Sequence, residues 1–220
     1  MTRAEFAKFI DHTVLRPDST RRDARRACEE ARAHRFAACC VLPAWVADAA
    51  EILEGSEVAV CTVVGFPHGN APAQAKAAEA AIAIADGATE IDMVINLSAL
   101  KSGSDLLVMN DLETVVEAAE MGGALVKVIL ECALLTDQEK RRAAQMCVEA
   151  GAAFVKTGTG FASGGATVED VRLLRAVVGP EVGVKAAGGI RTVEDALAMI
   201  EAGANRIGTS AGVALVEAFR

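Results

Sequence analysis

Tyrosine is absent from this chain, and aromatic residues make up only 4% of it. No phenol is therefore on hand as an acid. Basic excess is missing too: the formal net charge is −8. A protein that embraces nucleic acid normally shows a basic face. The one basic cluster, Arg21, Arg22, Arg25, Arg26, Arg32 and Arg35, is interleaved with Asp23, Glu29 and Glu30. It reads as a solvated helix face. An acidic protein can still hold a phosphate, because backbone amides supply the field locally. No apolar run approaches the ~18 residues that span a bilayer, and the charged first residues Arg3, Glu5 and Lys8 do not form a secretory signal. Six cysteines occur without any C-x-x-C spacing, which points to buried thiols in a reducing compartment, the cytoplasm. Histidine is scarce. His12, His34 and His68 show no paired ligand spacing, so metal chemistry is not expected.

Hydrophobic residues, many of them alanine, make up 52% of the 220 residues. Short β-branched runs alternate with longer alanine-rich helical segments. The candidate strands are 9–14, 38–42, 58–64, 90–96, 125–131, 154–157, 182–186 and 206–209. Strands alternating with helices imply a parallel sheet, and eight such units in about 200 residues imply a (β/α)8 barrel. A doubly wound open sheet is the alternative, but its dinucleotide fingerprint is missing. Asp86-Gly87-Ala88, Ala150-Gly151-Ala152 and Ala202-Gly203-Ala204 each stand between a helix and a strand, where glycine can end the helix. Thr136-Asp137-Gln138-Glu139 fits a capping box; the segments opening at Thr167 and Thr192 are looser versions. No linker is visible, so residues 1–220 read as a single catalytic barrel domain.

Active barrel faces lie at the C-terminal ends of the strands, so polar residues inside strands carry the most information. Strand alternation puts Asp92, Val94 and Asn96 on one face, and Lys127, Ile129 and Glu131 on one face. Lys156 and Lys185 each sit in a hydrophobic run. A structural salt-bridge network could explain one such lysine. It does not explain three beside Asp92, because one carboxylate cannot neutralise three ammonium groups. Repulsion and burial should depress at least one lysine pKa, and a neutral amine is what attack on a carbonyl requires. Glycine-rich turns follow the late strands at 157–160, 188–192 and 208–212. Each alone is a tight turn; together, after the late strands of a barrel, they favour a phosphate site.

Ile10-Asp11-His12-Thr13, Gly65-Phe66-Pro67-His68-Gly69, Glu90-Ile91-Asp92-Met93-Val94-Ile95-Asn96, Lys127-Val128-Ile129-Leu130-Glu131, Phe154-Val155-Lys156-Thr157, Gly183-Val184-Lys185-Ala186-Ala187-Gly188-Gly189-Ile190-Arg191-Thr192 and Arg206-Ile207-Gly208-Thr209-Ser210-Ala211-Gly212 closely resemble the deoxyribose-phosphate aldolase family. The resemblance runs from about residue 6 to 215. It implies a (β/α)8 barrel and class I cleavage of 2-deoxyribose 5-phosphate to acetaldehyde and glyceraldehyde 3-phosphate, without metal or organic cofactor. It further implies Lys156 as the imine former, Lys185 as its perturber and Asp92 as a proton-transfer residue working through water. Gly160, Gly188, Gly189, Gly208 and Ser210 would bind the phosphate. Lys127, Cys40 and Asp11 are carried as supporting residues.

Three departures stand out. Gly158 occupies a place where the family often has serine, a change expected to loosen that turn. Leu42 follows Cys40-Val41 where the family has a polar residue. Some members end in a mobile tail with a tyrosine, whereas this sequence ends at Arg220 without one. Competing functions are a barrel sugar-phosphate isomerase using Asp92 as base without an imine, and a non-catalytic sugar-phosphate sensor. The expected partner is a small sugar phosphate, not nucleic acid or membrane. A homodimer is expected because it is the commonest symmetric assembly.

Overall fold

The structure, a computed structural model, describes residues 1–219; Arg220 lies outside the described residues. Eight parallel strands close into a barrel in chain order, with the last pairing to the first. They are β1 (Ile10–Val14), β2 (Ala38–Val41), β3 (Ala59–Val64), β4 (Glu90–Val94), β5 (Leu125–Ile129), β6 (Phe154–Lys156), β7 (Gly183–Ala187) and β8 (Arg206–Thr209). The chain opens with α1 (Arg3–Ala7). Helices α2 (Arg21–His34), α3 (Val46–Leu53) and α4 (Ala73–Ala85) follow the first three strands. Then come α5 (Leu97–Lys101) and α6 (Asp105–Met121) after β4, α7 (Asp137–Glu149), α8 (Val168–Val178), α9 (Val193–Glu201) and α10 (Gly212–Ala218). The closed sheet settles the choice against an open doubly wound one.

Local signals explain the element ends. Gly87, Gly151 and Gly203 take φ of 107°, 82° and 112° after α4, α7 and α9, a region that costs a side chain energy but not glycine. Thr136 and Glu139 form the reciprocal cap of α7. Thr167 and Thr192 each accept the amide three residues on, satisfying one of the unpaired donors of a first turn. Four strands, β2, β4, β5 and β6, stop one or two residues short of the hydrophobic runs. The extra residues, Leu42, Ile95 and Leu130 among them, begin the loops instead of extending the sheet.

The outer strand faces and the inner helix faces form one continuous apolar core. The lumen is divided. On the side of β2 and β3 it is lined by Leu15, Ala38, Cys40, Cys61 and Val63, with Leu42 packed against them. Elsewhere it is ionic. Among the described residues no helix is long and apolar enough to cross a membrane. Phe219 stacks on Phe6 with ring centroids 4.6 Å apart, and the Phe219 carbonyl accepts from Arg3. The described end of the chain is thereby tied to α1, which precedes β1, at the barrel end away from the C-terminal loops.

One outer strut positions the loop after β3. Lys76 on α4 is fully buried, donating to Asp111 of α6 at 2.7 Å and to the Val94 carbonyl at 2.8 Å. Its stem runs beneath Gly65, where an added Cβ would lie 2.7 Å from Lys76 Cε. Removing one partner of a buried pair leaves the other charge stranded. Lys76→Met should therefore lower stability to urea by about 3–5 kcal/mol, with Lys76→Met/Asp111→Leu recovering much of it. A single variant with the wild-type midpoint would contradict this role.

Candidate active site

Alternation along each strand decides which side chains enter the lumen. The register pairs Lys127 with Asp92, Lys156 with Ile129 and Lys185 with Lys156, and Arg206 of β8 lies opposite Lys185. Asp11 enters from β1, and Glu90 enters from β4 one inward position below Asp92. Glycine makes room at one crowded point. A Cβ at Gly208 would sit 3.1 Å from Lys185 Cε and 2.9 Å from Ala187 Cβ.

These side chains form a single ionic cluster. Asp92 Oδ2 accepts from Lys156 Nζ at 2.7 Å and from Lys185 Nζ at 2.8 Å. Asp92 Oδ1 accepts from Lys127 Nζ at 2.8 Å and from the Cys61 thiol at 3.2 Å. Lys127 also reaches Glu90 at 2.6 Å, and Lys185 reaches Asp11 at 2.6 Å. At the N-terminal end of the barrel Arg206 bridges Asp11 at 2.6 Å and Glu90 at 3.0 Å. Its guanidinium also lies 5.6 Å from the centre of the Phe154 ring. Lys127, Lys185, Asp11 and Asp92 are fully sealed from solvent, whereas Lys156 keeps 3% exposure and lines the cavity above.

Burial opposes charge at Asp92, Asp11, Lys127 and Lys185, and the neighbours overcome it. Burial favours the neutral form of Asp92, but Lys127, Lys156 and Lys185 outweigh it and hold the carboxyl well below the usual range. Asp11 is likewise held low against burial by Lys185, Lys127 and Arg206. Burial works against the ammonium of Lys127, yet Asp92 and its neighbours raise it well above an ordinary lysine. Lys185 is raised in the same way, against burial, by Asp11 and Asp92. The expectation that one carboxylate faces three lysines thus needs correction. Asp11 and Glu90 join Asp92, because the barrel register brings β1 and the start of β4 into the same space. The idea of a water held by Asp92 meets a second constraint: its two oxygens already accept from four donors.

Above Lys156 opens a cavity of about 360 Å³, large enough for a small metabolite. Gly160, Gly188, Gly189, Gly208 and Ser210 line it together with Lys156. So do Arg191 and Arg16, which the sequence-based site left out; the Arg16 guanidinium pairs with Asp18 at 2.9 Å. The loops are braced by hydroxyls. Thr157 Oγ1 bonds the Ala187 carbonyl and amide, each at 3.0 Å, and Thr209 Oγ1 donates to the Ile190 carbonyl at 2.8 Å.

Glu131 was also missing from that site. Strand β5 ends at Ile129, and Glu131 adopts a left-handed φ of 55°. Its buried carboxylate accepts the Thr159 amide at 3.2 Å and a short bond from the Thr159 hydroxyl. A Cβ at Gly158 would fall 2.7 Å from Glu131 Oε1. The glycine therefore does not loosen this turn; its lack of a side chain lets the carboxylate clamp it.

Cys40 is buried beside Cys61 and does not line the cavity. Cys40 Sγ, Cys61 Sγ and an Asp92 oxygen lie within 4.8 Å of one another, the only such donor grouping among the described residues. They make a poor cation site, because Lys127 stands 3.3 Å from Cys61 Sγ and ammonium groups already occupy both Asp92 oxygens. His12 faces away from the lumen and bonds Glu30 at 2.8 Å, and His34 stacks on Phe36. His68 is exposed in its loop.

With this geometry in hand, comparison with known proteins is informative. Residues 6–218 match the family model described as DeoC/LacD family aldolase. The chain is 57% identical over 211 residues to the deoxyribose-phosphate aldolase of Geobacillus sp. (strain WCH70), covering 96% of this chain and 94% of that one. It is 58% identical over 210 residues to the deoxyribose-phosphate aldolase of Bacillus mycoides (strain KBAB4), with 96% and 94% covered. The tetrameric deoxyribose phosphate aldolase structure from Aeropyrum pernix superposes with a TM-score of 0.92 at 36% identity, covering 99% of this chain and 92% of that one. The chain belongs to the DeoC/LacD family of aldolases.

Proposed function

We propose that the protein is a class I aldolase that cleaves 2-deoxy-D-ribose 5-phosphate reversibly to D-glyceraldehyde 3-phosphate and acetaldehyde. The observation that carries this reading is a lysine amine at the floor of a cavity, backed by two further lysines on one shared carboxylate. An isomerase using Asp92 as its base has no use for a lysine amine that lines the cavity and bonds that carboxylate. A sensor has no use for a cavity-floor amine in this setting. The substrate follows from the relatives' names and from a rim that combines glycine turns with Arg16 and Arg191.

In the proposed reaction, Lys156 Nζ attacks the C1 aldehyde, and loss of water leaves a protonated imine. The imine withdraws the electron pair of the C2–C3 bond as the C3 hydroxyl gives up its proton. Glyceraldehyde 3-phosphate departs. The enamine takes a proton at C2, and water hydrolyses the imine to acetaldehyde and free Lys156. Covalent catalysis of this kind divides one hard step into several easier ones. Lys185 and Asp92 hold the imine nitrogen in place and pass protons along the Lys185–Asp92–Lys156 chain to a water at the cavity floor. The turns at Gly160, Gly188, Gly189, Gly208 and Ser210, with both arginines, receive the phosphate. No step calls for a metal or organic cofactor.

The reading extends to residues 1–220 acting as one catalytic domain in the cytoplasm. All six cysteines are free thiols, as a reducing compartment allows. A homo-oligomer, whether the dimer expected from symmetry or the tetramer of the Aeropyrum pernix relative, belongs to the same proposal.

Borohydride reduction with acetaldehyde or substrate should add a stable mass at Lys156, read by peptide mapping. Labelling elsewhere, or none, would sink the assignment. Asp92→Asn should slow proton exchange at the acetaldehyde methyl, followed by NMR in deuterated water, by roughly 10²–10⁴-fold; an unchanged exchange rate would remove Asp92 from the proton route. Glu131→Ala frees the Thr159 turn, so KM for the phosphorylated substrate should rise by about tenfold, the worth of a lost hydrogen bond to a charged group, with a smaller change in kcat. An unaltered KM would contradict the clamp. Chelators should leave activity intact; loss restored by a divalent metal would refute the scheme.

A further inference from the structure

The ionic cluster is unbalanced. Four cationic side chains, Lys127, Lys156, Lys185 and Arg206, face three carboxylates, Asp11, Glu90 and Asp92. The formal sum is 4 − 3, one positive charge in excess. Arg206 creates the excess: it occupies both Asp11 and Glu90 from the N-terminal end of the barrel and touches neither Asp92 nor Lys156. Two of the other three cations also have a claim on two or more carboxylates. Lys127 reaches Asp11, Glu90 and Asp92, and Lys185 reaches Asp11 and Asp92. Lys156 has Asp92 alone, through an oxygen shared with Lys185.

We infer that Arg206 is a positioning residue for the imine chemistry: by holding Asp11 and Glu90 it leaves the cluster one carboxylate short, so that Lys156 is the amine that gives up its proton. The inference rests on the reading of Lys156 as the imine former. Electrostatics agree with the distribution. Against burial, Arg206 is raised by Asp11 and Glu90, just as Lys185 is raised by Asp11 and Asp92. With Lys127, Lys185 and Arg206 charged against three carboxylates, the sum is zero only when Lys156 is neutral. A dry lumen enforces that balance, since an unpaired charge there is costly. Cys40 and Cys61 complete the ring from β2 and β3; they stay the same in every variant below and cancel in the comparison.

The sign of each substitution follows. Removing the Arg206 cation lets Lys156 keep its proton to higher pH. Removing the Glu90 carboxylate worsens the excess and drives the proton off at lower pH. The readout is the pH midpoint for borohydride trapping of acetaldehyde on Lys156, measured by peptide mass. Arg206→Met should raise it by about one pH unit, the effect of unit charges on the order of 10 Å apart at an effective dielectric of about 20. Glu90→Gln should lower it by a similar amount. Arg206→Lys, which keeps the charge, should stay near wild type. Arg206→Met/Glu90→Gln removes one charge of each sign and should return close to wild type.

A merely structural role would weaken trapping without moving midpoints in opposite directions. Midpoints that stay put, or that move the same way in the two single variants, overturn the inference. Should Arg206→Met alone fail to fold, the comparison of Glu90→Gln with the double variant decides: the double must lie about one unit higher, and equal midpoints overturn the inference. A wild-type enzyme that forms no Lys156 adduct at any pH refutes the proposed function itself, an outcome distinct from unshifted midpoints in variants that do form it.

Discussion

Everything near the site depends on Asp92. Its two oxygens gather three lysine nitrogens from three adjacent strands inside a sealed barrel. A lone carboxylate at that depth would protonate, and a lone ammonium would lose its proton. Together Asp92, Lys127 and Lys185 stay charged, because each supplies what burial denies the others. Such a cluster adds little net stability, since desolvation offsets most of the Coulomb attraction. It does set charge and position: Asp92 places Lys156 and Lys185 on one oxygen, so any change at one nitrogen is felt at the other.

The barrel converts that electrostatic arrangement into an address. Its floor is occupied by Arg206 with Asp11 and Glu90, and the β2–β3 side of the lumen is lined by small apolar and thiol side chains. Lys156 lines the cavity above the cluster, beneath loops braced by Thr157, Thr209 and Glu131. The glycine turns there line one cavity together with Arg16 and Arg191. On the proposed function, Lys156 would act as a nucleophile with limited access to water beneath a rim that receives the phosphate, which suits a phosphorylated aldehyde whose charged end is held while its carbonyl reaches the floor.

Much of this architecture was legible from spacing. Period-2 runs separated by alanine-rich helices gave eight strands within a residue or two of their places, and the helix ends fell at the expected threonines and glycines. Lys156, Lys185, Asp92 and Lys127 were visible because charge inside an apolar run is anomalous in a single sequence. Arg206 and Glu90 were not, because each opens a strand, where a charged residue is ordinary. Only barrel closure, which pairs β8 with β1, brings Arg206 to Asp11 and across to Glu90. Glu131 was hidden for a similar reason. Its alternation placed it with Lys127, but a left-handed turn after Ile129 sends it to Thr159 instead. Arg16 and Arg191 sit in loops, where periodicity carries no information about direction.

On the proposed scheme the excess charge of the lumen is resolved at Lys156 while its neighbours remain ammonium ions. Nitrogen NMR of the enzyme uniformly labelled at lysine Nζ tests it directly, with Lys156→Met used to assign the signal. The account requires one buried lysine to be a neutral amine over the pH range in which borohydride traps acetaldehyde on Lys156, with that signal vanishing in Lys156→Met. Two other buried lysines, Lys127 and Lys185, must stay protonated there. Three buried ammonium signals persisting through that range, or a neutral amine that survives in Lys156→Met, would contradict it.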